Sequence, residues 1–490
     1  MSPSQKPRSS SRRSPSIDSV TTINADGSHR ALHPADVHGR FTSWRRYSAY
    51  GLIGVYLLLP WIPIDGYPAV FLDVAGSRFH FFGFTLAAQD VWLLFFGVSG
   101  LGFALFFLTA LFGRLWCGWA CPQTVFLDHV YRRIERWIDG DAPSRRLLTA
   151  APLSAGKISR RIAKHALYIL ASLLITHLFL AYFVSIPQLW SYVREAPREH
   201  WASFLFVFVA AGVLYFNFAW FREQLCIVIC PYGRLQSALT DDHSLVIGYD
   251  ATRGEPRGKI QQASSLPQAG DKTGDCVDCN RCVQVCPTGI DIRHGLQLEC
   301  IGCAACIDAC DEIMAKVKRP PGLVRYDSLA GLDGGVTRWL RARTVVYGIL
   351  LLVGAAAATF AFSTVKPASF TVLRMSGAAY FVGADEVRNQ FLVRLVNKRT
   401  APVGLTVTAQ GLPAGVRHTG FDAPVVVAPL AETVSPLVLL IDRRDYRGPF
   451  RFTVKVEGRE GKIALKREVE FMGPDARLLE EDDHEKGIKR

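Results

Sequence analysis

Apolar residues in this chain fall into long, nearly unbroken runs. Those at about 47–64, 91–113, 166–187, 203–221 and 344–364 each approach or exceed the roughly 20 residues that carry a helix across a hydrocarbon core. VWLLFFGVSGLGFALFFLTALFG and TVVYGILLLVGAAAATFAFST hold no charge at all. The first run, YSAYGLIGVYLLLPWIPI, carries Pro60 and Pro63, which predicts a kinked or frayed far end. FHFFGFTLAA at 79–88 is too short to span and reads as interfacial or re-entrant.

Beyond residue 365 the pattern changes. FTVLR, FLVRLVN, GLTVTAQ, VVVAP, PLVLLI, FRFTVKVEG and IALKREVEF are short, rich in β-branched residues and separated by Gly, Pro, Asn and Asp. About seven such strands in about 100 residues predict an all-β immunoglobulin-like sandwich over 365–473. The closing LLEEDDHEKGIKR, within 474–490, reads as a solvated charged tail. The fold class expected is therefore a multi-span α-helical membrane protein of about five transmembrane helices, carrying a C-terminal all-β domain.

Charge orients the spans. A net charge of +13 accompanies a mean hydropathy of +0.17, and basic loops between apolar segments produce both together. Nucleic-acid binding is excluded as the source, because the arginines do not interleave with aromatics on any one segment. Lys and Arg crowd the tail up to Arg46 and the stretch Arg114–Lys164, including Arg132, Arg133, Arg136, Arg145, Arg146, Arg160 and Arg161, whereas 65–90 and 188–202 hold only Arg78, Arg194 and Arg198. The positive-inside rule then puts the N-terminus and residues 222–343 in the cytosol, and the C-terminal domain outside, in the periplasm of a bacterial inner membrane. The Ser-, Pro- and Arg-rich tail, 1–46, has too little apolar surface to fold. Arg45 and Arg46 are not a twin-arginine signal, since no small-residue cleavage site follows them.

The twelve cysteines carry the chemistry, and none lies in the outer domain. That distribution argues against a disulfide framework, because the cysteines sit where thiols are kept reduced. CVDCNRCVQVCP and CIGCAACIDAC, within a ferredoxin-type stretch at about 270–315, each repeat the C-x2-C-x2-C-x3-C spacing of two-cluster ferredoxins, in which the fourth Cys serves the other cluster. Cys276, Cys279, Cys282 and Cys310 are thus candidate ligands of one [4Fe-4S] cluster, and Cys300, Cys303, Cys306 and Cys286 of a second. Pro287 follows the first run, while Asp311 stands where a second Pro is usual. Paired zinc knuckles or unligated thiols are the bland alternative.

WCGWACP at 116–122 and LCIVICP at 225–231 repeat a Cys-x-x-x-Cys-Pro signature after two of the spans. On a helix, residues four apart have Cβ atoms roughly 5–6 Å apart, wider than the about 3.8 Å of a disulfide, and the Pro is expected to end or kink the helix. Cys117, Cys121, Cys226 and Cys230 could offer four sulfurs to one ion, with Cu(I), zinc and an iron–sulfur cluster all open, or could simply pack helix ends as small hydrophobes. His177, in LITHLFL at mid-span, could contact a cofactor or be satisfied by a neighbouring helix. His418, Met375 and Met472 stand too far apart in sequence to suggest a copper site in the outer domain.

With YDATRGEPRGK at 249–259 before the cysteine runs and GLVRYDS at 322–328 after them, the chain resembles the FixG/CcoG family of cytochrome c oxidase accessory proteins from its first span onward. The resemblance implies a cupric reductase supporting assembly of the cbb3-type oxidase. Copper would sit at Cys117, Cys121, Cys226 and Cys230, which would then be the catalytic residues, and the clusters would supply electrons. The partners implied are membrane lipid, copper, a chaperone or transporter that takes the ion on, and oxidase assembly proteins. A membrane ferredoxin-type electron-transfer subunit, a quinol dehydrogenase-like relay without a copper role, is the alternative.

Overall fold

The computed structural model describes residues 32–76, 78–87, 90, 92–258, 274–364, 367–399, 401–458 and 463–485. Most of the basic tail, the Lys259 end of the RGEPRG segment, and residues 486–490 lie outside the described residues. The chain divides into two compact units, Met1–Ile62 with Phe95–Ala358 and Pro63–Leu94 with Thr359–Arg490.

Among the described residues, Trp92–Phe112, Ala155–Leu180, Trp201–Phe221 and Ala342–Ser363 are helices long and apolar enough to cross a membrane. Ala155–Leu180 starts well before the apolar run expected near 166. Ser154 caps it by accepting the Lys157 N–H at 3.2 Å, so its opening basic turns are helical too. Where the spans meet, aromatic rings interlock. Tyr131 stacks on Phe218 with centroids 4.3 Å apart, meets Tyr168 edge-on at 5.1 Å, and shares a 2.7 Å hydrogen bond with Ser172.

The first apolar run differs from its expected form. Its helix is Arg40–Leu58, followed by a 3-10 turn at Leu59–Trp61 that contains Pro60. The polar opening RFTSWRR leaves it less apolar than the four helices above. Residues 32–46 of the tail, expected to be unfolded, are folded. Ala35 donates its N–H to the Gln284 carbonyl at 2.8 Å, and Val37 is buried. Asp308, far along the chain, accepts from Phe41 N–H at 3.2 Å, Thr42 N–H at 2.7 Å and the Thr42 hydroxyl at 2.7 Å. It thus supplies the cap that Gly39 cannot give this helix.

Residues 222–343 enclose the two cysteine runs. Strand Val246–Tyr249 pairs antiparallel with Val324–Asp327, and Ile247, Ile307, Met314 and Leu323 form a buried core beside the runs.

In the second unit, the stretch expected to be interfacial or re-entrant is a β-hairpin. Arg78–Phe81 pairs with Phe84–Ala87 and with Val70–Asp73 in a three-stranded antiparallel sheet. Phe82 and Gly83 turn the chain with φ of 48° and 87°, the backbone of a two-residue hairpin loop. Residues 88 and 89 lie outside the described residues.

The C-terminal part is a β-sandwich, with nine strands among the described residues. Val416–Thr419, Glu432–Asp442, Glu386–Asn397 and Ala368–Arg374 form one sheet in that order, with Phe381–Val382 also on Glu386–Asn397. Val425–Val427, Val403–Gln410, Phe450–Gly458 and Ala464–Phe471 form the other. Alternate residues of Glu386–Asn397 are buried, so Val387, Phe391, Val393 and Leu395 meet Leu405, Phe452, Val454 and Val456 of the facing sheet. The tail expected to be wholly solvated forms a helix, Ala476–Glu485, whose Leu479 joins this core.

Candidate metal centres

The two cysteine runs share one backbone device. In the first, Asp278 and Asn280 flank Cys279 with φ of 50° and 55°; in the second, Gly302 and Ala304 flank Cys303 with φ of 68° and 62°. A left-handed residue on each side of the central Cys curls the loop inward, and at the fully buried Ala304 this carries a strain of about 1–3 kcal/mol. Short helices then begin, Arg281–Gln284 in the first run and Ala305–Lys316 in the second.

Two cavities of similar size result, with about 360 Å³ and about 330 Å³ of atom-free space including their open sides. Cys276, Cys279, Cys282 and Cys310 line the first. Cys286, Cys300, Cys303 and Cys306 line the second, with Cys282 at its edge. Cys306 and Cys310, one turn apart on Ala305–Lys316, therefore serve different cavities. Burial pushes the Cys282 and Cys303 thiols up to about 11 and those of Cys300 and Cys310 up to about 12, partly opposed by Arg293 at Cys282, Arg45 at Cys303 and Arg114 at Cys300. Bare thiolates are costly here, and a cationic iron core supplies the charge that offsets them. Four soft donors around each apolar-walled space fit a [4Fe-4S] cube, whose irons each take a separate sulfur.

The Cys-x-x-x-Cys-Pro motifs do not lie on single helices. Cys117 sits in Leu115–Trp119, but Cys121 is extended, with φ −62° and ψ 125°, and begins the next helix, Pro122–Phe126. Cys226 lies in a π-helical turn, Leu225–Ile229, while Cys230, with φ −64° and ψ 111°, begins Pro231–Leu239. The break expected at each proline is present, with Leu115–Trp119 and Leu225–Ile229 stopping just before it, and the proline then opens the following helix at its first position, where its missing N–H costs nothing. The helical-face spacing expected for each pair is thereby replaced by a bend at the second Cys.

All four thiols are neighbours, each close enough for its thiolate charge to disfavour that of another. Burial pushes Cys117 up to about 11 and Cys226 up to about 12. Cys117 also donates to the fully buried Gln236 Oε1 at 3.5 Å. Among the described residues no three His, Cys, Asp or Glu side chains converge to hold a single ion, so the four sulfurs are gathered without forming a closed mononuclear site. No cysteine is in a disulfide.

The first motif is seated on the second cysteine loop. Cys117 packs against the cluster formed by Ile301, Cys303 and Ala305. Trp119 Nε1 donates to the Tyr326 hydroxyl at 3.2 Å, which donates to the Gly302 carbonyl at 2.6 Å, and Arg45 Nε donates to the Gly118 carbonyl at 2.7 Å. A Cβ on Gly118 would lie 2.7 Å from the Ile301 carbonyl oxygen and 2.9 Å from Cys303 N and Cα. Backbone cannot yield as a side chain does, so Gly118→Ala is expected to cost about 1–3 kcal/mol. An unchanged thermal unfolding midpoint would show that the motif is not held against this loop.

The positive-inside reading gave the arginines a topological role and missed their structural one. Glu135, Asp139, Arg145, Arg222 and Glu223 are all buried. Glu135 accepts from Arg222 Nη1 and the Tyr168 hydroxyl, each at 2.8 Å, and from Arg145 Nη1 at 3.3 Å. Asp128 holds Arg45 and, at 2.5 Å, Arg132. The signal was present in DHVYRRIERWID, where acids and arginines recur at three- and four-residue spacing. His177 is not part of any site described here. Its Nδ1 lies 2.8 Å from the Leu173 carbonyl of its own helix, so the expected neighbouring helix is not its partner.

Comparison with known proteins adds three family matches. A 4Fe-4S dicluster domain matches residues 221–329, a 4Fe-4S binding domain matches residues 93–140, and the "IG-like fold at C-terminal of FixG, putative oxidoreductase" matches residues 358–474. The chain is 35% identical to the nitrogen fixation protein FixG of Rhizobium meliloti over 84% of its length and 86% of the relative's. It is 33% identical to Protein RdxA of Cereibacter sphaeroides, over 80% of this chain and 86% of that one. It is 24% identical to the ferredoxin-type protein NapH of Haemophilus influenzae, over 56% and 89%.

Proposed function

From the premise that this chain belongs to the FixG family, we propose that it reduces Cu(II) to Cu(I) for maturation of a cbb3-type cytochrome c oxidase. At the coarser level it is a membrane-associated 4Fe-4S electron-transfer protein of the FixG and RdxA type. The observation that carries the finer reading is the seating of Cys117 and Gly118 on the Ile301–Cys303 backbone.

Cys276, Cys279, Cys282 and Cys310 would hold one [4Fe-4S] cluster, and Cys300, Cys303, Cys306 and Cys286 the other. When bound, the clusters supply one-electron storage. The chain keeps water from the transfer path by burying Cys303 and Ala304. It fixes the receiving thiols through the Trp119–Tyr326–Gly302 hydrogen bonds. Cu(II) as substrate takes one electron, and its reduced form prefers the sulfur ligands that Cys117, Cys121, Cys226 and Cys230 offer. Arg40–Leu58 would be a fifth span, with N-terminus and clusters cytosolic, and the immunoglobulin-like domain would face the periplasm as a docking module for envelope partners.

One observation favours the relay reading instead. The 4Fe-4S binding domain matched at 93–140 contains only Cys117 and Cys121, which with Cys226 and Cys230 make four thiolates for a further cluster. Metal content of anaerobically purified protein and of its quadruple Cys117→Ala, Cys121→Ala, Cys226→Ala, Cys230→Ala variant separates the two. The copper reading expects about eight irons per chain in both proteins, with Cu(II) reduction lost in the variant. The relay reading expects about twelve irons falling to about eight. Copper binding and reduction unchanged in the variant would end the copper proposal.

A further inference from the structure

The wall behind the second cysteine cavity borders a larger space that the electron path does not use. This space, about 820 Å³ counting its mouth, lies between the arm Pro34–His38, the start of the first helix, the stretch from Asp128 to Arg136, and Val285, Pro287 and Ala305. Pro287 lines both cavities. Six arginines reach the larger one against two carboxylates, Asp36 and Asp128.

The carboxylates are already committed. Asp128 holds Arg45 and Arg132, Asp36 holds Arg136, and Arg145 turns to Glu135. Arg46 and Arg133 have no carboxylate partner among the described residues. Arg46 Nε is buried with no hydrogen-bond partner, and so are both ring nitrogens of His129. Burial pushes His129 down to about 4, so the ring is neutral at pH 7 and retains one N–H to donate.

Arginines that serve only to orient a span need to lie near the membrane surface. They need not converge on one half-enclosed space or leave inward-facing donors unsatisfied, and buried polar groups normally have partners. The geometry of planar guanidinium groups matches phosphate oxygens in pairs. We propose that this cavity binds a phosphate group, with Arg46, Arg133 and His129 as its donors and the Asp128-fixed pair Arg45 and Arg132 as its wall. The phosphate could belong to an anionic lipid headgroup or to a soluble phosphorylated compound, and its recognition does not depend on copper.

The test uses the full chain in nanodiscs. In one arm the discs are pure phosphatidylcholine and pyrophosphate is titrated by calorimetry. In the other they contain phosphatidylglycerol, and lipid retained after delipidation is read by native mass spectrometry. Three proteins are compared: wild type, R46Q/R133Q, and R160Q/R161Q, the last removing equal charge from exposed positions outside the cavity. Iron content confirms that each is folded. Binding by wild type in at least one arm, weakened about tenfold or more in R46Q/R133Q but not in R160Q/R161Q, is expected. The arm that responds names the source, and pyrophosphate displacing the retained lipid shows one shared site. No binding in either arm, equal binding by R46Q/R133Q and wild type, or equal losses in both variants overturns the proposal.

Discussion

Alanine at Cys300, Cys303 and Cys306 together is expected to remove about half of the iron, leaving one cluster of two. These three residues and Cys286 are the cysteines that line the second cavity apart from Cys282 at its edge. Cys286 alone cannot retain a cube, whereas Cys276, Cys279, Cys282 and Cys310 are untouched. The damage should also travel. The left-handed backbone at Gly302 and Ala304 is held by wrapping the loop inward, and Cys117, Gly118 and Tyr326 rest on that loop. Copper reduction is therefore expected to vanish even though every Cys-x-x-x-Cys-Pro thiol remains. Iron and acid-labile sulfide per chain, with low-temperature electron paramagnetic resonance of the reduced protein, check this. Undiminished iron would refute the ligand set, and complete loss of iron would show that the two cavities do not load independently.

The largest effect on stability is expected from Glu135→Ala. Glu135 is 4% exposed. Burial alone would raise its pKa, but the Arg222 guanidinium overrides this and holds the carboxyl down to about 2. Its removal takes the carboxylate from buried Arg145, which keeps only the Pro34 carbonyl at 3.1 Å, leaves Arg222 with the more distant Glu223 at 3.8 Å, and takes the acceptor from the Tyr168 hydroxyl. Breaking a buried pair in this way costs about 3–5 kcal/mol, enough to consume much of the stability of an ordinary domain. Glu135→Gln keeps an acceptor and should cost less. Thermal unfolding in detergent measures both, and an alanine variant melting with wild type would show that the network contributes little.

How far the sequence could be read depended on which force shaped each part. The four apolar helices were legible because a bilayer demands long uncharged runs, and the sandwich because its strands bury alternate residues. The cysteine runs were legible as cluster-binding sequence because thiolate spacing is set by the inorganic core. The hairpin at 78–87 was not, since Phe79, Phe81, Phe82 and Phe84 give it aromatic residues in runs as well as in alternation. The break at each Cys-Pro was legible from the proline, but the helical-face spacing of the paired cysteines was misjudged, because the second Cys is the extended residue before a new helix that the proline starts. The arm at 32–42 was lost among polar residues because its partners, Gln284 and Asp308, are remote in sequence.

That last contact also bears on how the chain is made. Asp308 lies 266 residues beyond Thr42, and a ribosome adding about 5–20 residues per second needs on the order of tens of seconds to cover that distance. Throughout that interval the helix Arg40–Leu58 has emerged without the residue that completes its N-terminus. Its seat is finished only after the second cysteine run has been synthesised, because Asp308 lies between Cys306 and Cys310. Arg40–Leu58, the first helix among the described residues, is thus among the last to close.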